Sequence, residues 1–138
     1  MQTITDQGVL NQPDKSRDKL FIVLCASGFE NVPRVRSAMM FATLAASAEY
    51  RTILYCVQTA VDVMVKGAIE EKEMPQPGVP TLRQRLDEAI EMGVEIQCCT
   101  QSMVNKNIPE DDLLPGVKPA GAMSLITLTS QAAGTLCF

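Results

Sequence analysis

The stretch DEAIEMGVEIQCCTQSM, residues 87–103, predicts the end of a helix, a complete strand and the start of a second helix. Gly93 is placed to end the first helix, because glycine readily adopts the left-handed conformation found at helix C-termini. The run VEIQCC then predicts a buried strand, and TQSMVNKN predicts a short helix. The preceding segment TLRQRLDEAIEMG has its apolar residues on one helical face: Leu82, Leu86, Ala89 and Ile90.

Predicted strands and helices also alternate along the rest of the chain. LFIVLCAS and RTILYCVQ are apolar runs typical of covered strands, and VKPAG and GTLCF are shorter strand candidates. Helices are predicted in PRVRSAMMFATLAASAEY, AVDVMVKGAIEE and AMSLITLTSQAA. This alternation predicts an α/β fold: a single-domain α/β/α sandwich with a mostly parallel five-stranded sheet. We assign residues 19–138 to this domain and residues 1–18 to a flexible N-terminal tail.

Two helix starts carry local signals. Asn31 can cap the first long helix, with Pro33 in its first turn, and Thr81 and Gln84 form a capping box for a later helix. The first long helix is apolar around most of its circumference. A helix of this kind is buried on more than one side, which in a small domain predicts a subunit interface.

Composition argues against several classes of partner and location. The net charge is -4 and no dense run of lysine and arginine occurs, which disfavours nucleic acid and anionic membranes as partners. No apolar run approaches the roughly 20 residues of a membrane span, and the N-terminus lacks the order of a signal peptide. The five cysteines lack the regular spacings of a disulfide framework, which disfavours a secreted disulfide-rich protein. We therefore expect a cytoplasmic protein with free thiols.

The chain contains no histidine. This removes Ser-His-Asp and Cys-His catalysis within one chain, together with the commonest ligand of catalytic zinc. No CxxC motif is present, and Asp111 and Asp112 are better explained as a solvated loop than as metal ligands. We expect neither a metal nor a cofactor.

The five cysteines fall into two groups. Cys25 and Cys56 lie within apolar runs and Cys137 lies in the last strand candidate, so packing is the expected role of all three. Cys98 and Cys99 end the third strand. A bond between them would be strained, because neighbouring Cα atoms are about 3.8 Å apart. Successive strand side chains point in opposite directions, so we expect one thiol to be exposed and the other buried.

Cys99 has two interpretations of about equal weight. If a helix starts near Thr100, unsatisfied backbone N–H groups lie beside the thiol and lower its pKa, and Ser102 can donate a further hydrogen bond. Alternatively, Cys98 ends a buried strand and Cys99 fills the turn. The first interpretation predicts a reactive thiolate, and the second predicts two packing residues.

The order and spacing of these motifs resemble the DsrE/DsrF-like family of sulfur-carrier proteins, of the TusD/DsrE type. The resemblance rests on a helix ending DEAIEMG, a strand that delivers a cysteine, and a serine three positions later. The opening LFIVLCASG, the Ala/Met-rich first helix and the ending GTLCF match the family layout over residues 19–138. The paired cysteines are similar to a double-cysteine form linked to sulfur oxidation.

The resemblance implies an α/β/α sandwich, assembly into trimers or hexamers, and a persulfide on the cysteine that ends the third strand. Carried over, that residue is Cys99, with Ser102 in the matching position. Cys98 is an additional thiol, and the resemblance leaves open whether it also carries sulfur. No cofactor is implied.

We therefore predict a cytoplasmic sulfur carrier that forms a homotrimer, or alternatively a hexamer, and exchanges sulfane sulfur with a TusA-like carrier or a rhodanese. Two other functions stay open at this point: a non-catalytic assembly subunit whose cysteines only pack, and a thiol redox sensor. The sequence does not distinguish a sulfurtransferase from a passive carrier.

Overall fold

A computed structural model describes residues 19–138, so the predicted tail lies outside the described residues. The sheet consists of β1 (Leu20–Cys25), β2 (Arg51–Cys56), β3 (Glu95–Cys99), β4 (Lys118–Ala120) and β5 (Ala132–Cys137). Its order is β4-β3-β2-β1-β5, and every neighbouring pair is parallel. The predicted α/β fold is confirmed, with a sheet that is parallel throughout.

The helices are α1 (Val32–Ser47), α2 (Ala60–Val63), α3 (Ala68–Lys72), α4 (Leu82–Glu91), α5 (Thr100–Asn105) and α6 (Ala122–Gln131). Residues of α1 to α5 pack in one apolar cluster with Val23, Leu54 and Ile96 of the sheet. Leu125 and Leu128 of α6 pack in a second cluster with Ile22 and Ile53. Because neighbouring strand residues alternate between faces, the two clusters are the two layers of an α/β/α sandwich.

The predicted helix AVDVMVKGAIEE is wrong as one element, since it consists of the two short helices α2 and α3. Gly67 has a φ of 78°, a left-handed conformation that interrupts a right-handed helix. Val65 instead forms an isolated antiparallel bridge with Leu113, and the N–H of Lys66 donates to the carbonyl of Asp112 at 2.9 Å. The chain between β2 and α4 is thereby attached to the segment that precedes β4.

Both predicted helix caps are present. The side chain of Asn31 accepts from the N–H of Arg34, and Thr81 and Gln84 form the reciprocal capping box. Gly93 has a φ of 88°, as expected for the residue that ends α4. Of the four residues on the predicted apolar face, Leu82, Leu86 and Ala89 are buried, whereas Ile90 is 46% exposed.

The outer surface of α1 remains apolar in the single chain. Phe41 and Leu44 are exposed, whereas Ala38, Met39 and Ala42 on the inner side are fully buried. The Phe41 ring stacks on that of Phe138 at a centroid distance of 5.5 Å. A subunit interface on this helix stays a prediction. Within residues 19–138, none of the helices is both long and apolar enough to cross a membrane.

The core assignment of α4 predicts unequal effects of two aliphatic truncations. Leu86 is 0% exposed, so Leu86→Ala should reduce the free energy of unfolding by about 2–5 kcal/mol through lost burial and a cavity. Ile90→Ala on the same helix should cost less than about 1.5 kcal/mol, because much of its side chain already contacts water. Urea denaturation measures both values. Equal losses would contradict this packing of α4.

Candidate functional site

The site lies where β3 meets α5. Cys99 is the last residue of β3 and immediately precedes the first turn of α5. Its side chain belongs to the apolar cluster beneath α6, together with Ile53 and Tyr55 of β2. Only 7% of Cys99 is exposed. The strand and helix therefore hold the thiol at the C-terminal edge of the parallel sheet, where such folds place their ligand sites.

Ser102 is a buried polar residue in the first turn of α5. Its hydroxyl oxygen accepts a hydrogen bond from the backbone N–H of Gln58 at 2.9 Å. Because the N–H occupies one side of the oxygen, the hydroxyl proton is free to donate to the sulfur of Cys99. The predicted site residues Cys99 and Ser102 are thus brought together.

The pKa of the Cys99 thiol is lowered by these donors. Burial on its own raises the pKa. The opposing contributions come from the backbone N–H and hydroxyl of Ser102, the hydroxyl of Tyr55 and the backbone N–H of Gln101, and together they bring the pKa below its ordinary value. Hydrogen bonds from the start of α5 and from Tyr55 therefore favour the thiolate here, as a histidine does in other cysteine sites.

Tyr55 is a site residue that the sequence analysis missed. Its side chain is fully buried, and its hydroxyl donates to the carbonyl oxygen of Ala120 at 2.9 Å. The single hydroxyl proton thus has two acceptors, this carbonyl and the sulfur of Cys99. Burial and the neighbouring thiols raise the pKa of Tyr55, so the phenol stays protonated at neutral pH and remains a donor.

The DsrE/DsrF-like family model matches residues 18–138 of the chain. The chain belongs to the DsrE/DsrF-like family. Membership supports a role related to sulfur relay, and it confirms the resemblance noted from the motifs around Cys99.

Solved structures share the fold of this DsrE-like chain. The crystal structure of the YchN protein from E. coli has a TM-score of 0.70 at 20% identity, covering 87% of this chain and 98% of that chain. A protein of unknown function, MTH1491 from Methanobacterium thermoautotrophicum, has a TM-score of 0.60 at 18% identity with the same coverage. Curated proteins show no match to the sequence. At these identities the structures establish the α/β fold alone.

Cys98 has surroundings unlike those of Cys99. It is 0% exposed and lies in the other apolar cluster, among residues beneath α1 to α5. The two thiols therefore point to opposite faces, as expected, but the prediction that one is exposed is wrong. Both are buried, because Ala120 and Tyr55 pack around Cys99 on the face that α6 covers.

Three buried cysteines form one row across the sheet. Cys25 of β1 pairs in register with Cys56 of β2, and Cys56 pairs with Cys98 of β3. Hydrogen bonding with Cys98, followed by burial, raises the pKa of Cys56 well above its ordinary value, and burial raises that of Cys25. Cys25 and Cys56 are protonated at neutral pH and pack as predicted.

The predicted packing role of Cys137 is wrong. Its side chain is exposed, because β5 is an edge strand and has a neighbouring strand on one side only. Cys137 is thus the thiol that a reagent in solution reaches most readily. Among residues 19–138, no three or more histidine, cysteine, aspartate or glutamate side chains are grouped so that they could hold a metal ion.

Gln58 is a second site residue that the sequence analysis missed. It acts through its backbone N–H, which every residue except proline possesses. The residue type at position 58 therefore could not reveal this role. Tyr55 offered a weak signal. Period-two alternation on β2 puts it on the same face as Ile53, where a phenol requires a polar partner.

The hydrogen bonds on Cys99 predict a measurable pH profile. In a Cys137→Ser background, alkylation of Cys99 by iodoacetamide should rise with pH and reach half its maximum below the value of an ordinary cysteine. Ser102→Ala removes one donor to the thiolate, which shifts the profile to higher pH and slows alkylation at neutral pH by about threefold to tenfold. Mass spectrometry of the modified peptide gives the rates.

Ser130→Ala is the matched control, because Ser130 is an exposed serine of α6 that donates to its own helix. It should leave the alkylation profile unchanged. A Ser102→Ala variant with the profile of the Ser130→Ala variant would contradict the role given to the Ser102 hydroxyl.

Proposed function

We propose that this chain is a sulfur carrier that takes sulfane sulfur as a persulfide on Cys99 and passes it to the thiol of a partner. One observation carries the proposal: in a DsrE-like chain, hydrogen bonds from Ser102, Gln101 and Tyr55 lower the pKa of the cysteine that ends β3. The thiolate is the nucleophile in sulfur exchange, so this environment favours the reactive form.

Loading is a displacement at sulfur. The Cys99 thiolate attacks the outer sulfur of a donor persulfide, a new S–S bond forms at Cys99, and the bond between the donor's two sulfurs breaks. The donor leaves as a thiolate. No net oxidant or reductant is consumed, because one sulfane sulfur moves from one thiol to another.

Unloading reverses these roles. An acceptor thiolate attacks the outer sulfur of the Cys99 persulfide, and Cys99 leaves as a thiolate. A leaving thiol of lower pKa departs faster. The hydrogen bonds that favour the free thiolate of Cys99 therefore also favour release of the sulfur, which suits a carrier better than a store.

Low exposure restricts the donor and the acceptor. Because only 7% of Cys99 reaches the surface, a partner has to present its sulfur on a protruding residue or as a small polysulfide. A TusA-like carrier or a rhodanese is the class of partner that we propose. The net charge of -4 favours a partner with a basic surface.

We propose that Cys98 is not a second sulfur-carrying residue. It is fully buried, faces the layer of α1 to α5 and hydrogen-bonds with the protonated thiol of Cys56. A persulfide at this position would require additional volume in a closely packed core. Cys98 is then a packing residue, and Cys99 alone is loaded.

Assembly and location complete the proposal. We propose a cytoplasmic homo-oligomer, a trimer or alternatively a hexamer. Its support is apolar surface on two helices, namely Phe41 and Leu44 of α1 and Met123 and Ile126 of α6, all exposed in the single chain. The cysteines of residues 19–138 are all free, which suits a reducing compartment.

A thiol redox sensor is the second candidate function. The same low pKa of Cys99 that favours sulfur exchange also favours oxidation to a sulfenic acid. A purely structural assembly subunit has less support, because packing alone needs no donors directed at the thiol.

Persulfide formation tests the proposal directly. After incubation with polysulfide, mass spectrometry should show one or more added sulfur atoms on the peptide that carries Cys98 and Cys99. Cys99→Ser should abolish this addition, whereas Cys98→Ser should retain it. The Cys137→Ser background removes the exposed competing thiol.

Two outcomes would contradict the proposal. Added sulfur that is lost in Cys98→Ser and kept in Cys99→Ser would show that Cys98, and not Cys99, carries the sulfur. Oxygen adducts without sulfur adducts would favour the redox sensor.

A further inference from the structure

The loop that follows β2 has a conformation that requires support. Gln58 has a φ of 54°, in the left-handed region that residues other than glycine seldom occupy. In this conformation its backbone N–H reaches Ser102, with 2.9 Å between the nitrogen and the hydroxyl oxygen. Gln58 is itself exposed. Contacts from neighbouring residues therefore have to hold the loop in place.

Glu30 provides such contacts through Thr59, the residue after Gln58. The Thr59 hydroxyl donates to a carboxylate oxygen of Glu30 at 2.8 Å, with a longer contact of 3.3 Å to the carbonyl of Ala26. The same carboxylate accepts the backbone N–H of Gly28 at 3.0 and 3.1 Å. One carboxylate thus joins the loop after β1 to the loop after β2.

Gly28 allows the two loops to touch. A Cβ at this position would lie 2.2 Å from the carbonyl oxygen of Thr59, so any other residue would push the loops apart. The close contact and the hydrogen bonds of Glu30 together determine where Thr59 lies, and therefore where the preceding N–H of Gln58 points.

Glu30 is ionised at neutral pH. Burial by itself raises its pKa, but the N–H groups of Gly28 and of Glu30 itself, the Thr59 hydroxyl and the charge of Lys106 bring the pKa below its ordinary value. Lys106 also pairs with Asp62 at 3.0 Å. The carboxylate can therefore accept all of these hydrogen bonds throughout the neutral pH range.

We propose that Glu30 and Thr59 are positioning residues for Cys99. They hold the loop after β2 so that the N–H of Gln58 stays on the hydroxyl oxygen of Ser102 and the hydroxyl proton points at the sulfur. Their effect on Cys99 passes through Gln58 and Ser102. This inference deepens the proposed function, since it states how the reactive form of the carrier cysteine is maintained.

The direction in which the pKa of Cys99 shifts in Glu30→Ala distinguishes positioning from a direct effect of charge. Glu30 carries a negative charge, so its removal would on charge alone lower the pKa of a nearby thiol or leave it unchanged. Loss of positioning has the opposite sign, because Ser102 then donates less well to the Cys99 thiolate. The other charged groups near Glu30 are Lys106, Asp62 and Arg34, and none of them is substituted in the variants.

The experiment measures the pH profile of Cys99 alkylation by iodoacetamide in the full chain with Cys137→Ser. Thr59→Val removes the hydroxyl at nearly constant shape, and Thr59→Ser restores it. Glu30→Ala removes the carboxylate. Its control is Glu70→Ala. Glu70 lies on α3, is also exposed, and its carboxylate accepts a hydrogen bond from Arg83 of α4. Thermal unfolding of each variant verifies that it is folded.

We expect Thr59→Val and Glu30→Ala to shift the profile to higher pH and to slow alkylation at neutral pH about threefold or more. Thr59→Ser and Glu70→Ala should keep the parent profile. A parent-like profile in both Thr59→Val and Glu30→Ala, or a shift to lower pH in Glu30→Ala, would overturn the inference. If Glu30→Ala does not fold, the alkylation profiles of Thr59→Val and Thr59→Ser are compared, and equal profiles would overturn the inference.

This measurement requires no sulfur donor, so its failure is distinct from failure of the proposed function. If Cys99 loads sulfur but the variants keep the parent profile, only the positioning role is wrong. If the variants shift the profile but Cys99 never loads sulfur, the positioning role stands and the carrier function is wrong.

Discussion

The parallel direction of all five strands is the constraint on which the site depends. Because β1, β2 and β3 run side by side in the same sense, the loops that follow them meet at one edge of the sheet. Glu30 follows β1, Gln58 and Thr59 follow β2, and Ser102 follows β3. The carboxylate of Glu30 accepts from Thr59, and the hydroxyl oxygen of Ser102 accepts from the N–H of Gln58. The in-register pairing also places Cys25, Cys56 and Cys98 in one row, which leaves Cys99 on the opposite face. The parallel topology thus separates three buried thiols on one face of the sheet from Cys99 on the other.

A chain without histidine has to stabilise a thiolate by other means. Here the donors are two backbone N–H groups, one serine hydroxyl and one phenol, all neutral groups. Such donors stabilise the anion without forming an ion pair. A serine hydroxyl can rotate, and the N–H that Ser102 accepts from Gln58 occupies one side of its oxygen.

Elements whose causes are local could be predicted from the sequence. The capping box at Thr81, the cap at Asn31 and the end of α4 at Gly93 depend on residues within a few positions of one another. The junction of β3 and α5 was predicted for the same reason, and with it the pairing of Cys99 with Ser102. Elements whose causes are distant were not predicted. The hydrogen bond from Thr59 to Glu30 spans 29 positions, and that from Gln58 to Ser102 spans 44. The exposure of Cys137 depends on which strand lies at the sheet edge, which the residues of β5 do not specify.

We infer that the surroundings of Cys99, rather than its exposure, make it the reactive thiol. An ultraviolet titration of thiolate absorbance, taken as the difference between the Cys137→Ser chain and the same chain with Cys99→Ser, measures the pKa of Cys99 alone. We predict an inflection below the ordinary cysteine value. An inflection at or above that value would contradict it, because burial would then outweigh the hydrogen bonds from Ser102, Gln101 and Tyr55.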